Sequence, residues 1–256
     1  MCPGSHNYQV TGNYVCGNFT LGNGGGIGHI GRSNDGLIAN NTVIFNHSFN
    51  QGLGVSGGGI FVGGQASLAV GRPSPGSGSV TVSANMVQGN LAGAGDGGGI
   101  RAEFVNGLDV LRTPNNANPW YQLNLVNNML VNNVSGLAGG GISLQDVVKA
   151  NVANNTIANN DSTATAGAAF VPGTPNQSEA QPAGIVSRGH STLLFNTIGN
   201  GGTVSQYKRD FSNPTLVNNI VWHNRSFYWE ITTPTSFELL PRAESPYWDL
   251  AVVGSA

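Results

Sequence analysis

Residues 38–46 (IANNTVIFN) contain the pattern that decides the fold: an apolar residue, Asn41, a second apolar residue and Asn46, at a fixed spacing. The pattern occurs seven times, at residues 10–18, 38–46, 82–90, 125–133, 152–160, 193–201 and 216–224. In the sixth copy Gly201 replaces the last Asn. A repeat of this length is typical of a solenoid, in which each repeat packs on its neighbours.

A second motif, Gly-Gly-Gly-Ile, alternates with the first. Four copies end at Ile27, Ile60, Ile100 and Ile142, and a degenerate fifth copy ends at Ile185. Apolar positions five residues apart do not suit a helix, and glycine is a poor helix former. The spacing favours very short strands with a bend at Asn, which tolerates the left-handed conformation, and a glycine corner where positive φ is needed.

These motifs predict an all-β fold, a parallel β-helix of about seven coils with essentially no helix. The Asn side chains are expected to form hydrogen-bonded ladders from coil to coil. Two columns of apolar side chains should point inward. The first is Val15, Val43, Val87, Leu130, Ile157, Ile198 and Val221, and the second is Ile27, Ile60, Ile100, Ile142 and Ile185.

The chain divides into a β-helix at residues 1–224 and a C-terminal cap at residues 225–256, which is rich in aromatic residues and proline. We predict that the cap is irregular and covers the last coil. Insertions are predicted at 63–79, 103–121 and 161–182, with Trp120 at the tip of the second. The first repeat begins at Val10 without a comparable cap, so we expect missing coils on the N-terminal side and a larger parent protein.

The two motifs together resemble the right-handed parallel β-helix (pectin-lyase-like) superfamily. More narrowly, they are similar to the repeats of polymorphic outer-membrane proteins and autotransporter passengers, where Gly-Gly-Ala-Ile alternates with Phe-x-x-Asn. In this chain Gly26, Gly59, Gly99 and Gly141 stand where those repeats have Ala, and Val, Leu or Ile stands for Phe. The resemblance implies an extracellular or outer-membrane-associated location. It leaves the function open, because the superfamily includes lyases, hydrolases, adhesins and inert spacers.

Composition excludes several classes of function. Charged residues are 9% of the chain and the net charge is −2, which does not suit a basic nucleic-acid face or a polybasic membrane anchor. No apolar run approaches the roughly 18 residues of a spanning helix, and the first ten residues contain no signal-peptide pattern. Cys2 and Cys16 could pair or remain free.

No cofactor or metal site is predicted. Residues 26–31 match GxGxxG, but a turn follows them where a dinucleotide site requires a helix. Residues 93–97 (GAGDG) are similar to a calcium-binding β-roll repeat, but a shared ion site needs the motif to recur, and it occurs once. The GxSxG and HExxH motifs are absent, as are the motifs of polygalacturonases.

One face gathers the charges of this sparsely charged chain. Because each Ile of the second motif points inward, the first and third residues after it point outward. This alternation predicts an outward face that includes Phe61, Arg101, Glu103, Gln145 and Arg188, and Asp146 lies just past it. We predict that these six residues form a ligand-binding face. Glu103 and Asp146 are expected about 5–8 Å apart on adjacent coils, a separation that paired glycosidase carboxylates use. Catalytic candidates are Glu103, Asp146, Arg188 and His190, and the alternative is a solvated face with ordinary surface charges.

The sequence therefore favours a surface-exposed or secreted β-helix segment with a structural, adhesive or glycan-binding role in a larger bacterial surface protein. The alternative is a polysaccharide lyase or glycoside hydrolase that uses a groove on the outer face. The expected partner is a polysaccharide or cell-surface glycan, and the oligomeric state is left open.

Overall fold

A computed structural model describes residues 4–67, 69–199, 207, 209–233 and 236–254. Strands make up 39% of the molecule and helices 6%. Strands β1–β25, numbered in chain order, form four sheets, and each turn of the chain adds one strand to each sheet. The predicted all-β solenoid is confirmed at this level.

Sheet A consists of β1 (Gln9–Thr11), β5 (Gly36–Ala39), β9 (Val80–Ser83), β13 (Leu123–Val126), β17 (Ala150–Ala153) and β21 (Thr215–Val217). Sheet B consists of β2 (Tyr14–Cys16), β6 (Thr42–Ile44), β10 (Met86–Gln88), β14 (Met129–Val131), β18 (Thr156–Ala158) and β22 (Ile220–Trp222). Sheet C consists of β3 (Phe19–Thr20), β7 (His47–Ser48), β11 (Leu91–Ala92), β15 (Val134–Ser135), β19 (Asp161–Ser162), β23 (Arg225–Thr233) and β24 (Ser236–Pro241). Sheet D consists of β4 (Ile27–Ile30), β8 (Ile60–Gly63), β12 (Ile100–Glu103), β16 (Ile142–Gln145), β20 (Ile185–Arg188) and β25 (Leu250–Val253).

The predicted inward columns form the core. Val43, Val87 and Leu130 stand side by side in sheet B, and each is fully buried. The isoleucines of sheet D align in the same way, from Ile60 to Ile185. Both columns belong to one continuous apolar cluster that fills the space between the sheets.

The sixth predicted repeat is wrong, because it forms helix α2 (Thr192–Gly199) instead of two strands. Leu194 and Ile198 are four residues apart, so a helix places both on one face. That face packs on Val110 and Trp120 in a second apolar cluster outside the main core. Ile198 is therefore buried away from its predicted column, and Gly201 lies outside the described residues.

The insertions carry the remaining helices, against the expectation of almost none. Helix α1 (Leu108–Arg112) lies in the second insertion, and a 3-10 turn (Gly167–Ala169) lies in the third. Trp120 does not stand at an exposed tip: it is 3% exposed, and its indole N–H donates to the carbonyl of Thr113 at 3.0 Å. None of the described helices is long and apolar enough to span a membrane.

The C-terminal segment is more regular than predicted. β23 continues sheet C in parallel beside β19 and then pairs with β24 as an antiparallel hairpin, while β25 extends sheet D. Arg225 holds the hairpin to the stack through two hydrogen bonds of 2.8 and 2.7 Å to the carboxylate of Asp161. Sheets A and B keep an open edge here, where Ile220 and Trp222 are 60% and 54% exposed.

Two asparagine ladders run along the stack, as predicted. The first is Asn13, Asn41, Asn85, Asn128, Asn155 and Asn219, and the second is Asn18, Asn46, Asn90, Asn133, Asn160 and Asn224. Asn133 shows the pattern: its Oδ1 accepts from the backbone N–H and the Nδ2 of Asn90, and its Nδ2 donates to the carbonyl of Val87. Asp249 ends the second ladder by accepting from Asn224.

The left-handed bend lies one residue before each ladder position, and not at the ladder Asn as predicted. Residues in these positions have φ between 52° and 69°: Gly12, Asn40, Ala84, Asn127, Asn154 and Asn218 at the first ladder, and Gly17, Phe45, Gly89, Asn132, Asn159 and His223 at the second. The bend turns the chain so that the next side chain points along the stack. The first glycine of each Gly-Gly-Gly-Ile corner also has positive φ, as expected.

A polar pair, half-buried Tyr8 and buried His29, occupies the N-terminal end of the core. The Tyr8 hydroxyl lies 2.6 Å from Nδ1 of His29, and Nε2 of His29 lies 2.9 and 3.1 Å from the carbonyls of Gly31 and Ser77. Carbonyls only accept, so Nε2 carries the proton and Tyr8 donates to Nδ1. Burial lowers the pKa of His29 below its ordinary value of 6.5, despite the two carbonyl contacts, and raises the pKa of Tyr8 to about 12.

Replacing Asn133 by Ala should lower the free energy of unfolding by about 2–4 kcal/mol, because buried donors on Asn90 and the carbonyl of Val87 lose their partners. Asn13→Ala, at the exposed end of the first ladder, should cost less than about 1 kcal/mol. Urea denaturation of both variants measures the difference. Equal losses would contradict a structural role for the ladder interior.

Replacing Ala84 by Gly should raise the free energy of unfolding by about 1 kcal/mol, because an L side chain is strained at its φ of 54°. Ala243→Gly is the control, since Ala243 is also exposed and has no positive φ. The control should be neutral or slightly destabilising. A stability gain confined to Ala84→Gly in thermal unfolding supports the strain, and its absence counts against it.

Stability should fall as the pH drops below 6.5, because the unfolded state binds a proton on His29 that the folded state resists. The contribution is fully present above that pH, and its slope approaches about 1.4 kcal/mol per pH unit. His29→Gln should make the dependence shallower between pH 7.5 and 5.5. Part of the slope should remain, because burial also lowers the pKa of His47. Urea denaturation of both proteins across this range measures the change, and an unchanged slope in His29→Gln would contradict the assignment to His29.

Candidate functional site

The outer face of sheet D follows the predicted alternation. In β12, Ile100 and Ala102 point into the core, whereas Arg101 and Glu103 point away from it. The register places Arg101 beside Ser143 and Glu103 beside Gln145. The Arg101 guanidinium donates to Glu103 Oε2 at 2.8 and 3.1 Å and also to the side-chain oxygen of Gln145.

Asp96 is the centre of this group, and the sequence analysis did not identify it as a site residue. Its carboxylate accepts from Arg101 at 3.0 Å, from Arg188 at 2.8 Å and from the backbone N–H of Ala138 at 3.0 Å. The Ser143 hydroxyl donates at 3.3 Å to Oδ2 of Asp96, the same oxygen that Arg101 contacts. One feature of the sequence could have identified Asp96. It is a charged residue directly before a Gly-Gly-Gly-Ile corner, where the neighbouring coils have the uncharged residues Ser56 and Ala138.

We name this group the closed Asp96 network, because its charged side chains pair with one another. It consists of Asp96, Arg101, Glu103, Gln145 and Arg188, with Ser143. Two carboxylates face two guanidinium groups, so their formal charges cancel. Burial alone would raise the pKa of Asp96, but Arg101, Arg188 and the N–H of Ala138 hold it below its usual range. The network is therefore an ion-pair cluster that links coils, with Asp96 ionised at neutral pH.

Three members of the predicted face are buried, and the glycine corners cover two of them. Phe61 is 2% exposed and Arg101 is 3% exposed. The chain folds back over this column at each glycine corner: a Cβ on Gly57 would touch Cβ of Phe61, and a Cβ on Gly97 would touch Cβ of Arg101. Alternation correctly predicted the direction of these side chains, but it could not show that the corner covers them.

Asp146 and His190 form a separate buried pair, which corrects the predicted partnership of Asp146 with Glu103. Asp146 has a φ of 54° and is 1% exposed, and its Oδ1 accepts from the backbone N–H of Ser191 at 2.7 Å. His190 Nδ1 lies 3.3 Å from the same oxygen, and neither ring nitrogen makes a hydrogen bond to a described residue. The left-handed turn at Asp146 places its carboxylate against the backbone of Ser191, just before helix α2, whereas Glu103 is paired with Arg101.

Three of the cavities lined by described residues lie elsewhere. The core opens at its N-terminal end in a cavity of about 240 Å³ beside Tyr8 and at its C-terminal end in one of about 320 Å³ beside Leu216. A third cavity of about 480 Å³ lies on the outer face of sheet A, around Asn151. None of these three is lined by a residue of the predicted site.

Comparisons of the chain with protein-family models, with curated proteins and with solved structures found no match. The resemblance to pectin-lyase-like proteins therefore rests on the repeat motifs. Function has to be argued from the geometry of this chain.

Replacing Asp96 by Asn should lower the free energy of unfolding by about 3–5 kcal/mol, because it leaves the buried guanidinium of Arg101 and the partly buried one of Arg188 without their shared anion. Glu103→Gln should cost less than about 1 kcal/mol, since the side chain of Glu103 is 22% exposed and keeps an acceptor for Arg101. Guanidinium chloride is unsuitable because it screens charge, so urea denaturation is the measurement. A smaller loss for Asp96→Asn than for Glu103→Gln would show that Asp96 is not the centre.

Proposed function

We propose that this chain is a right-handed parallel β-helix of the pectin-lyase-like type, exposed on or secreted from a bacterial cell, with a structural role that spaces or displays other groups. The observation that carries the proposal is the closed Asp96 network. Of the residues that the sequence offered as acid, base or ligand contacts, Arg101, Glu103, Gln145 and Arg188 are bound in this network. Asp146 and His190 form a separate buried pair.

The side-chain contacts between coils are those expected of a rigid stack. Arg188 lies on β20 and reaches back past β16, the strand of Ser143, to Asp96 just before β12. Each ladder adds further hydrogen bonds between successive coils. These side-chain bonds resist both separation and sliding of the coils, which is the property that a spacer needs.

The enzyme alternative requires a carboxylic acid and a base that can exchange protons with a substrate. Glu103 accepts two hydrogen bonds from Arg101, and Asp146 and His190 are buried with side-chain exposures of 1% and 0%. Opening either group would break existing contacts, which are those of Glu103 with Arg101 and that of Asp146 with the backbone N–H of Ser191. The geometry therefore favours the structural role.

The test is turnover. The purified protein, incubated with a panel of acidic and neutral polysaccharides, should release no reducing ends and no unsaturated products above the level of the Glu103→Gln variant. Turnover that depends on Glu103 would overturn the proposal in favour of the enzyme alternative.

Location is tested separately. Protease treatment of intact source cells should remove the chain, whereas a cytoplasmic marker protein should survive until the cells are lysed. Protection of the chain in intact cells with an undamaged envelope would contradict surface exposure.

A further inference from the structure

The last coil of the stack leaves the outer edges of β21 and β22 unpaired among the described residues. At the bend between these strands, the backbone N–H groups of Asn218 and Asn219 make no hydrogen bond to a described residue. One coil earlier, the backbone N–H of Asn155 donates to Oδ1 of Asn219 at 2.9 Å. The edge therefore presents donors that the inner coils use to bind the next coil. We call residues 215–222 the A–B edge.

The apolar core also opens at this coil. Leu216 continues the column of Val152, which is fully buried, yet Leu216 is 44% exposed. Leu250 continues the isoleucine column after Ile185 and is 51% exposed. Both leucines line the cavity of about 320 Å³ at this end of the core. A strand that added apolar side chains here would fill the cavity and bury both leucines.

The first asparagine ladder ends at the A–B edge without a cap. The Nδ2 of Asn219 donates to the carbonyl of Val152 at 2.7 Å, but neither its second hydrogen nor the backbone N–H of Asn219 meets an acceptor among the described residues. At the end of the second ladder, Asp249 Oδ1 accepts both equivalent donors of Asn224, at 2.9 and 2.6 Å. The A–B edge thus lacks one side-chain oxygen, of the kind that Asp249 supplies.

No charged residue protects the A–B edge from pairing. Residues 215–222 contain no Asp, Glu, Lys, Arg or Pro. Sheet C differs, because its outermost strand β24 contains Glu238 and ends at Pro241. Charges and proline are the usual means by which proteins keep an exposed strand from pairing with another chain. The A–B edge has kept the ability to pair.

The surroundings of the A–B edge favour a short segment as its occupant and not a second copy of this chain. A complete coil has one strand in each of the four sheets, but β24 already covers the edge of sheet C. Asp249 likewise closes the second ladder. Two short strands joined by one bend fit the part that remains.

We propose that the A–B edge binds an extended segment of a partner protein with the pattern apolar, two residues, Asn, one residue, apolar. Its two halves pair in parallel with β21 and β22, which is recognition by strand addition. The Asn side-chain oxygen accepts from Asn219, and the first apolar side chain enters the cavity beside Leu216.

This interaction surface goes beyond the structural role proposed above. It is judged by peptide binding, whereas the structural role is judged by turnover and location, so either proposal can fail without the other.

The probe is a synthetic peptide with the sequence of residues 80–88 (VTVSANMVQ), which form β9, a bend and β10 in the protein itself. The matched control peptide carries Ala at the position of Asn85. Fluorescence anisotropy of labelled peptide, titrated with the full chain, should show binding of the control at least about tenfold weaker. The reason is that the two donors of Asn219 are then buried without an acceptor.

Two substitutions in the protein locate the site. Leu216→Lys places an ammonium at the mouth of the cavity and should abolish binding, because the incoming strand would bury that charge. Leu239→Lys is the control, since Leu239 is 42% exposed, close to the value for Leu216, and lies on β24 outside the A–B edge. It should bind the peptide as the wild type does. Circular dichroism confirms that both variants keep the strand content of the wild type.

Hydrogen exchange gives a readout that does not depend on a variant. The peptide should slow exchange of the backbone N–H groups in residues 215–222 and leave those of residues 236–241 unchanged, because only the first set gains acceptors.

The proposal is overturned if the wild type does not bind the peptide, if it binds both peptides equally, or if Leu216→Lys binds like Leu239→Lys. Sedimentation of the protein alone tests the other occupant: self-association that Leu216→Lys abolishes would assign the A–B edge to a second copy and also overturn the proposal. Preference for the Asn peptide, with exchange protection confined to residues 215–222, is the result that supports it.

Discussion

The structure depends on the ladder asparagines in the interior of the stack, whose side-chain amides are fully hydrogen-bonded. One amide accepts from two groups of the preceding coil and donates to the carbonyl of another residue there, so a single residue type satisfies backbone groups that would otherwise be buried without partners. A short bend can therefore be buried on every turn of the chain. The bend itself is formed one residue earlier, at a position that needs positive φ. These two requirements explain the pairing of a left-handed residue with Asn throughout the repeat.

The solenoid also explains why charge is concentrated in so few places. Side chains on the outer face of sheet D are covered where the chain returns at each glycine corner, so Arg101 is buried although it points away from the core. A buried guanidinium needs an anion, and Asp96 supplies it at the corner itself. The result is a neutral cluster that joins coils. On the outer face of sheet A, the described residues around Asn151 line a cavity instead.

The insertions form a second packing layer because the solenoid core cannot accept them. Helices α1 and α2 contribute Val110, Leu194 and Ile198 to an apolar cluster of their own, which also includes Trp120. Through Tyr207, this layer forms one wall of the cavity on the outer face of sheet A. Residues of the insertions, which lie outside the repeat pattern, thus shape the accessible surface.

The sequence by itself determined the fold class, the inward columns and both ladders, because these features repeat and each coil meets a copy of the same local pattern. It also determined the direction of Arg101, Glu103, Gln145 and Arg188 through the period of two in a strand. Only the tertiary structure decided that Asp96 joins them and that Asp146 turns away, since both depend on corner geometry and not on strand alternation. The same limit applies to residues 193–201: their spacing matches the repeat, but Leu194 and Ile198 find a better apolar surface on the second insertion than a strand in the stack would give them. A local pattern cannot report such contacts, because the surfaces that compete for a side chain come from distant parts of the chain.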